Sequence, residues 1–351
     1  MPQPVRVAAV GLGWVALHRH LPVMRRSSRF EVVGVIDRAS GHAAAVAAKE
    51  GRLRHAEAGA LAEVPWIDEV EAVTVATAPM GHAALIGEAL RLGKHVLTEK
   101  PFAMSVAEGE ALTAQAAAAD RRLAIVHNFQ FARSARRLAA DIEAGRLGHL
   151  TAVNAVQLGN PRRRLPTWYE QLPLGLFYDE SPHLLYLLRR FAGDIRLARC
   201  LVTPGTRGTQ TPARIDAHFL SDVFEGPITL SCQFESPVSE WYLMVSGEAA
   251  MGVVDVFRDI YVRLPNDEGH DTGHVLRTSL AATGQHWLQH VTSGVPHLTG
   301  RLFYGNEEVF DRFARAVRGE AEALTPVSGE AALAVLKLQH AIIDGQELVR
   351  R

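Results

Sequence analysis

Lys100 stands between Glu99 and Pro101, at the end of an apolar run that reads as a strand, His95 to Thr98. An amine held at a strand end can give or take a proton. Hydride transfer to or from a secondary alcohol needs such a proton carrier at the substrate oxygen. An oxidised nicotinamide nearby would disfavour a second cation and so favour the neutral amine. The same part of the chain carries Gly11-Leu12-Gly13-Trp14-Val15-Ala16, which fits the pattern G-x-G-x-x-A. In that pattern the first glycine permits a tight turn and the second lets the backbone approach a pyrophosphate. The small third residue lets the helix pack close to the strand. The following helix N-terminus offers free N–H groups and partial positive charge. Asp37 closes the next apolar run and can accept from both adenosine ribose hydroxyls, which favours NAD over NADP; Arg38 beside it can stack on adenine or pair with a 2′-phosphate.

A second cluster lies further on, Tyr178-Asp179-Glu180-Ser181-Pro182-His183. Proline is tolerated in the first turn of a helix, so a helix is expected to start near Ser181, with Asp179 just before it and His183 in its first turn. A carboxylate and an imidazole on one side can bind an alcohol and shuttle its proton. Between the clusters, Arg162-Arg163-Arg164 precede Trp168 and Tyr169 in a proline-bounded loop. Arg163 can hold an anion, and Trp168 and Tyr178 can contact a sugar ring. His286/His290 and His270/His274 are each four apart but lack further ligands, so no metal is expected.

These residues need elements to hold them. Val5–Val10, Phe30–Ile36, Ala72–Thr77, His95–Thr98 and Leu123–His127 read as buried strands. Helices are expected over Val15–Arg26, Ser40–Glu50 and His82–Leu92, and from an N-cap at Ser105 with Glu108 to Ala119. Alternation of this kind predicts an α/β, doubly wound parallel sheet whose strand ends share one edge. Gly11, Asp37, Thr77, Glu99 and Asn128 all follow strand ends. Beyond Asn128 the texture changes to Leu150–Leu158, Leu197–Val202, Ala213–Phe219, Ile228–Phe234, Trp241–Val245 and Gly252–Phe257, with helices at Phe131–Gly145, Ser181–Phe191, Asn306–Arg318 and Ser328–Val349. Two domains follow, 1–128 for the nucleotide and 129–351, an α+β domain, for the substrate and for self-association.

The 351 residues are 48% apolar and 21% charged, as expected for a globular chain with a sizeable core. A net charge of −1 provides no field for nucleic acid. No run approaches the ~18 apolar residues of a membrane-spanning helix, so no membrane partner is expected. Two cysteines, Cys200 and Cys232, form no disulfide framework and fit a cytoplasmic setting.

With these residues in hand, the chain resembles the glucose–fructose oxidoreductase, inositol dehydrogenase and rhizopine catabolism (Gfo/Idh/MocA) family. The resemblance rests on the glycine turn, on Val75-Ala76-Thr77-Ala78-Pro79 with His82 after it, and on Gly93-Lys94-His95-Val96-Leu97-Thr98-Glu99-Lys100-Pro101. The family's D-x-x-x-H pattern falls on Asp179 and His183. The resemblance implies a Rossmann N-domain, an open-faced, predominantly antiparallel C-terminal sheet, and a homodimer or homotetramer through that sheet. It also implies NAD(P)-linked redox at a sugar, cyclitol or related polyol. Lys100 and His183 would be the proton-transfer and orienting pair, and Asp179 the substrate ligand. Leu12, Trp14, Val15, Ala76, Pro79, His82 and Asn128 would join the glycines around the cofactor. The chain departs from the family pattern before Asp179, where Gly175-Leu176-Phe177-Tyr178 replaces a glycine-rich run, and at Ser181 and Pro182. An alternative therefore stands beside catalysis: a non-catalytic nucleotide- and ligand-sensing regulator on the same fold.

Overall fold

The computed structural model describes residues 3–51 and 53–348. The chain forms two compact units, Met1–Asn128 with Asn306–Lys337, and Phe129–Gly305 with Leu338–Arg351. In the first unit, β1 (Val5–Val10), β2 (Phe30–Asp37), β3 (Arg54–Glu57), β4 (Ala72–Val75), β5 (His95–Thr98) and β6 (Leu123–Ile125) form one parallel sheet, ordered β3-β2-β1-β4-β5-β6. This is the doubly wound order that reverses between β1 and β4. β4 is buried at every residue, because a parallel strand covered on both faces must be apolar throughout. The crossovers are α1 (Leu21–Arg26), which continues a wide π-helical turn at Ala16–His20, then α2 (His42–Lys49), α3 (His82–Arg91) and α4 (Val106–Ala118). The Ser105 hydroxyl caps α4 by accepting from the Glu108 N–H.

The second unit opens with α5 (Arg133–Glu143), β7 (Leu150–Leu158) and α6 (Leu176–Ala192). Then come β8 (Ile195–Thr203), β9 (Arg214–Ser221), β10 (Ile228–Gln233), β11 (Glu240–Gly247), β12 (Ala250–Asp255) and β13 (Ile260–Pro265), followed by the long α7 (Thr272–Leu298). After α8 (Asn306–Val317) and α9 (Gly329–Asp344), β14 (Gln346–Leu348) completes an eight-stranded sheet, ordered β13-β12-β11-β7-β10-β9-β8-β14. β7 pairs in parallel with β10, and β14 with β8; the other pairs are antiparallel. Burial alternates residue by residue along β7, β10 and β11, so one face is packed and the other is open.

The sequence drew a single boundary after Asn128, but Asn306–Lys337 packs with the first unit. The reason is the apolar stripe of α8. Phe310 and Phe313 are fully buried, and the Phe310 ring stands edge-on to His20 at 5.1 Å and to Phe30 at 5.9 Å. Arg318 adds a two-pronged ion pair to Glu71, 2.8 Å on each prong, and holds the Glu71 carboxyl below its usual range. Within the second unit, β13 and α7 were not expected at all. The start of α6 also moves, from near Ser181 to Leu176.

Candidate active site

Every nucleotide-site residue expected in the first unit follows a strand of its parallel sheet, at the shared C-terminal edge. Gly11 follows β1 with φ +79°, and a Cβ there would meet Thr77 Cγ2 at 2.5 Å. Only glycine allows both the left-handed turn and this approach to the loop after β4. Gly13 is exposed, and a Cβ there would find nothing nearer than the Ala76 carbonyl at 4.0 Å. Asp37 ends β2 and accepts from the Leu12 N–H at 2.7 Å and the Ala39 N–H at 2.9 Å, so its carboxylate is fixed beside the glycine turn. Arg38 is exposed. Trp14 is 45% exposed, stacks on His18 and lies under the Arg19 guanidinium. Val15, Ala76 and Thr77 are half-buried, whereas Pro79 and Asn128 are buried.

The Lys100 loop follows β5 and is braced by two histidines. His20 is fully buried, and its Nε2 meets Glu99 Oε1 at 3.0 Å; Glu99 Oε2 accepts from the Lys100 N–H at 3.3 Å. His82 was expected at the cofactor. It is fully buried instead, with Nδ1 2.8 Å from the Pro101 carbonyl and Nε2 3.1 Å from the Thr77 carbonyl. Burial pushes its pKa down, against the pull of those carbonyls. The ring therefore packs between the loops after β4 and β5, and as a neutral imidazole it donates to one of the two carbonyls at a time. Lys100 itself is half-buried.

A dinucleotide fits this donor set. Open space above Gly13, a helix N-terminus behind it and a fixed carboxylate at the next strand end are the features a pyrophosphate and a ribose require. The Leu12 N–H is already engaged by Asp37, so the diphosphate contacts fall to the later residues of the turn.

In the second unit the expected Asp179 and His183 sit on α6. Gly175 precedes the helix with φ +55°, and a Cβ there would collide with Thr211 Oγ1, which caps the helix by accepting from the Leu176 N–H at 3.1 Å. With the helix starting there, Asp179 lies in the first turn and His183 four residues on, along the same face. Pro182 is an interior residue and has no N–H for the Tyr178 carbonyl four residues earlier. The Gln339 side-chain amide takes that place, donating to the Tyr178 carbonyl at 2.7 Å and to Ser181 Oγ at 2.9 Å. His183 is 8% exposed. Its Nδ1 lies 3.0 Å from the Tyr186 hydroxyl, which accepts from the Phe129 N–H at 2.9 Å. Phe129 and Trp241 flank the ring at 4.8 and 5.5 Å between centroids. The imidazole is thus fixed in orientation by a hydroxyl and two aromatic rings.

Two expected substrate contacts are placed otherwise. Tyr178 is fully buried with its hydroxyl 3.2 Å from His340 Nε2, so it faces α9 as an interior residue. Arg163 pairs with the buried Glu180 carboxylate, which also accepts from Gln157 Nε2. Its charge is balanced within the protein and is not offered to an anion. Trp168 is half-buried in the loop before α6. The sequence reading missed His20, Tyr186, Trp241 and Gln339; only Tyr186 carried a local signal, at helical spacing from His183. Among the described residues, no group of three His, Cys, Asp or Glu side chains is arranged to hold a metal, and no helix is long and apolar enough to cross a membrane.

Residues 5–127 match the model of an oxidoreductase family with an NAD-binding Rossmann fold. Among curated proteins, the chain is 33% identical over 198 residues to a putative UDP-kanosamine synthase oxidoreductase subunit of Amycolatopsis mediterranei, covering 54% of this chain and 52% of that protein. It is 32% identical over 154 residues to a dTDP-3,4-didehydro-2,6-dideoxy-alpha-D-glucose 3-reductase of Actinomadura kijaniata, covering 43% and 45%. The matched region thus spans about half the length of these relatives. The fold is shared with a 3-ketoreductase from Actinomadura kijaniata crystallised with TDP-benzene and NADP, at a TM-score of 0.72 and 19% identity over 99% of both chains. It is shared also with the WlbA dehydrogenase from Bordetella pertussis in complex with NADH and UDP-GlcNAcA, at a TM-score of 0.77 and 18% identity over 98% of this chain and 96% of that one. Strand order, glycine turn and family match agree over the first unit: residues 5–127 carry the NAD-binding Rossmann fold of the Gfo/Idh/MocA oxidoreductase family model.

Proposed function

We propose that this protein is an NAD(P)-dependent oxidoreductase acting on a hydroxyl or keto group of a sugar, with a nucleotide-linked sugar as the favoured substrate class. The observation that carries the reading is the C-terminal edge of the parallel sheet, where the Gly11–Gly13 turn, Asp37 and Lys100 lie at the ends of β1, β2 and β5 of one unit. The relatives named for UDP- and dTDP-sugars support the substrate class. A bound nicotinamide would supply the hydride acceptor or donor. Lys100 moves the proton at the substrate oxygen, with its backbone held by Glu99 and His20. His183 orients the substrate and shares proton transfer, its ring fixed by Tyr186. Asp179, on the same face of α6, accepts from a substrate hydroxyl. Trp168 supplies an aromatic surface for the sugar. Asp37 favours NAD, since its carboxylate would repel a 2′-phosphate. The open face of the eight-stranded sheet is the family surface for a homodimer or homotetramer.

The test is turnover of a panel of keto-sugar nucleotides with NADH and NADPH by the purified full chain. Lys100→Met and His183→Ala are each expected to lower kcat by about 10²-fold or more, the range for loss of acid–base help, while NADH affinity changes little. Wild-type turnover in both variants would falsify the assigned roles.

A further inference from the structure

α7 is turned inside out relative to the unit it packs on. Its inward seam is polar. Gln285 and Gln289, four residues apart, grip the outer edge of β13, the last strand on that side of the sheet. Gln289 Oε1 accepts from the Tyr261 N–H and Gln285 Oε1 from the Arg263 N–H, both at 2.9 Å. Each side-chain amide also donates to the carbonyl of the same residue. The helix thus satisfies strand-edge groups that would otherwise face solvent or another strand. Its outward side is apolar instead: Leu276, Leu280, Trp287, Leu288, Val291 and Leu298 are each 60–87% exposed. A helix stabilised only by its own unit would show the opposite distribution.

We propose that the outward face of α7 is the contact surface for a second copy of this chain, the two helices packing antiparallel. Leu280 and Trp287 stand seven apart, as do Gly284, Val291 and Leu298, which is the spacing of a two-helix seam. Gly284 and Gly294 stand in open space within this stripe, leaving room for large side chains of a neighbour. Between Thr272 and Leu298 there is no acidic residue and a single arginine, Arg277, near the start. An antiparallel pair places each Arg277 toward the carbonyl end of the other helix, where the helix dipole is negative. A parallel pair would set two arginines side by side. Six side chains each covering on the order of 100 Å² give roughly 600 Å² per copy and about 1,200 Å² for the pair, within the size of a specific interface. A membrane surface is the poorer occupant, because a helix lying in lipid headgroups carries lysines and arginines along its polar face. The polar seam of α7 is spent on β13. This contact is separate from the open sheet face and does not depend on the proposed activity.

The experiment is sedimentation velocity of the full chain across the micromolar range, comparing wild type with Leu280→Glu, Trp287→Glu and Leu280→Lys. Both positions face solvent, and far-UV circular dichroism checks that the fold is kept. The expected result is that each variant sediments at half the wild-type mass, and that mixing the Leu280→Glu and Leu280→Lys proteins restores the larger species. A monomeric wild type, or folded variants that keep the wild-type mass, would overturn the proposal. So would a monomeric wild type that floats with anionic phosphatidylserine vesicles, which would assign the face to lipid.

Discussion

Gln339→Leu tests how this chain accommodates a proline inside the helix that carries Asp179 and His183. Gln339 is 1% exposed, and its amide makes two bonds, 2.7 Å to the Tyr178 carbonyl and 2.9 Å to Ser181 Oγ. Leucine keeps the volume and removes both. Losing a partner from a buried polar group costs about 1–3 kcal/mol, so two such losses, partly relieved by rotation of the Ser181 hydroxyl, predict about 2–4 kcal/mol of destabilisation. Pro182→Ala supplies the N–H that proline lacks, and it points at the same Tyr178 carbonyl. In that background Gln339→Leu should cost about 1–2 kcal/mol less. The assay is a double-mutant cycle by urea denaturation, followed by both circular dichroism and tryptophan fluorescence so that a departure from two-state unfolding is seen. Coupling below about 0.5 kcal/mol, the level at which independent sites add, would refute the substitution of a glutamine amide for a helix N–H.

Three further outcomes follow from the geometry. Asp37→Ser should shift cofactor preference toward NADPH by about 10-fold or more, read as the ratio of kcat/KM for the two nucleotides, because a repulsive carboxylate gives way to a neutral hydroxyl. Arg163→Met should destabilise the second unit by roughly 2–3 kcal/mol, below the cost of breaking a fully buried pair because Arg163 is partly exposed; urea midpoints report it, and Glu180→Gln in the same chain should recover part of the loss. His95 has its pKa lowered to about 4 by burial, with Arg121 and Arg122 adding repulsion, and its Nδ1 accepts from the Arg122 N–H at 2.9 Å. The unfolded chain takes up this proton below about pH 6.5 and the folded chain only near pH 4, so stability should fall as pH drops through that window. His95→Gln should remove that part of the slope.

The first unit was the more legible because buried parallel strands are continuous apolar runs with glycine, aspartate or lysine at their ends. The exception there is β3, Arg54–Glu57, a polar edge strand with neither alternation nor an apolar run. In the second unit α7 was illegible for the reason that makes it unusual: its inward residues are glutamine and serine, and its leucines point out. Pro182 misled in another way. Proline in a first turn is the common case, so the helix was started near Ser181, whereas the residue that supports an interior proline lies 161 positions from Tyr178. Arg163 looked like an anion site because its counter-charge, Glu180, belongs to the next helix and shares no local pattern with it. Local patterns give strands and turns; they do not give the partner of a buried polar group.

The two units are interleaved along the polypeptide. As the nascent chain leaves the ribosome, the parallel sheet emerges first, but the rings of Phe310 and Phe313 that cover part of it arrive only after seven of the eight strands of the second sheet have been made. The amide that braces α6 comes later still, at Gln339. Vectorial folding, one unit completed before the next begins, is therefore closed to this protein. A fragment cut after Asn128 would display bare apolar surface where α8 belongs.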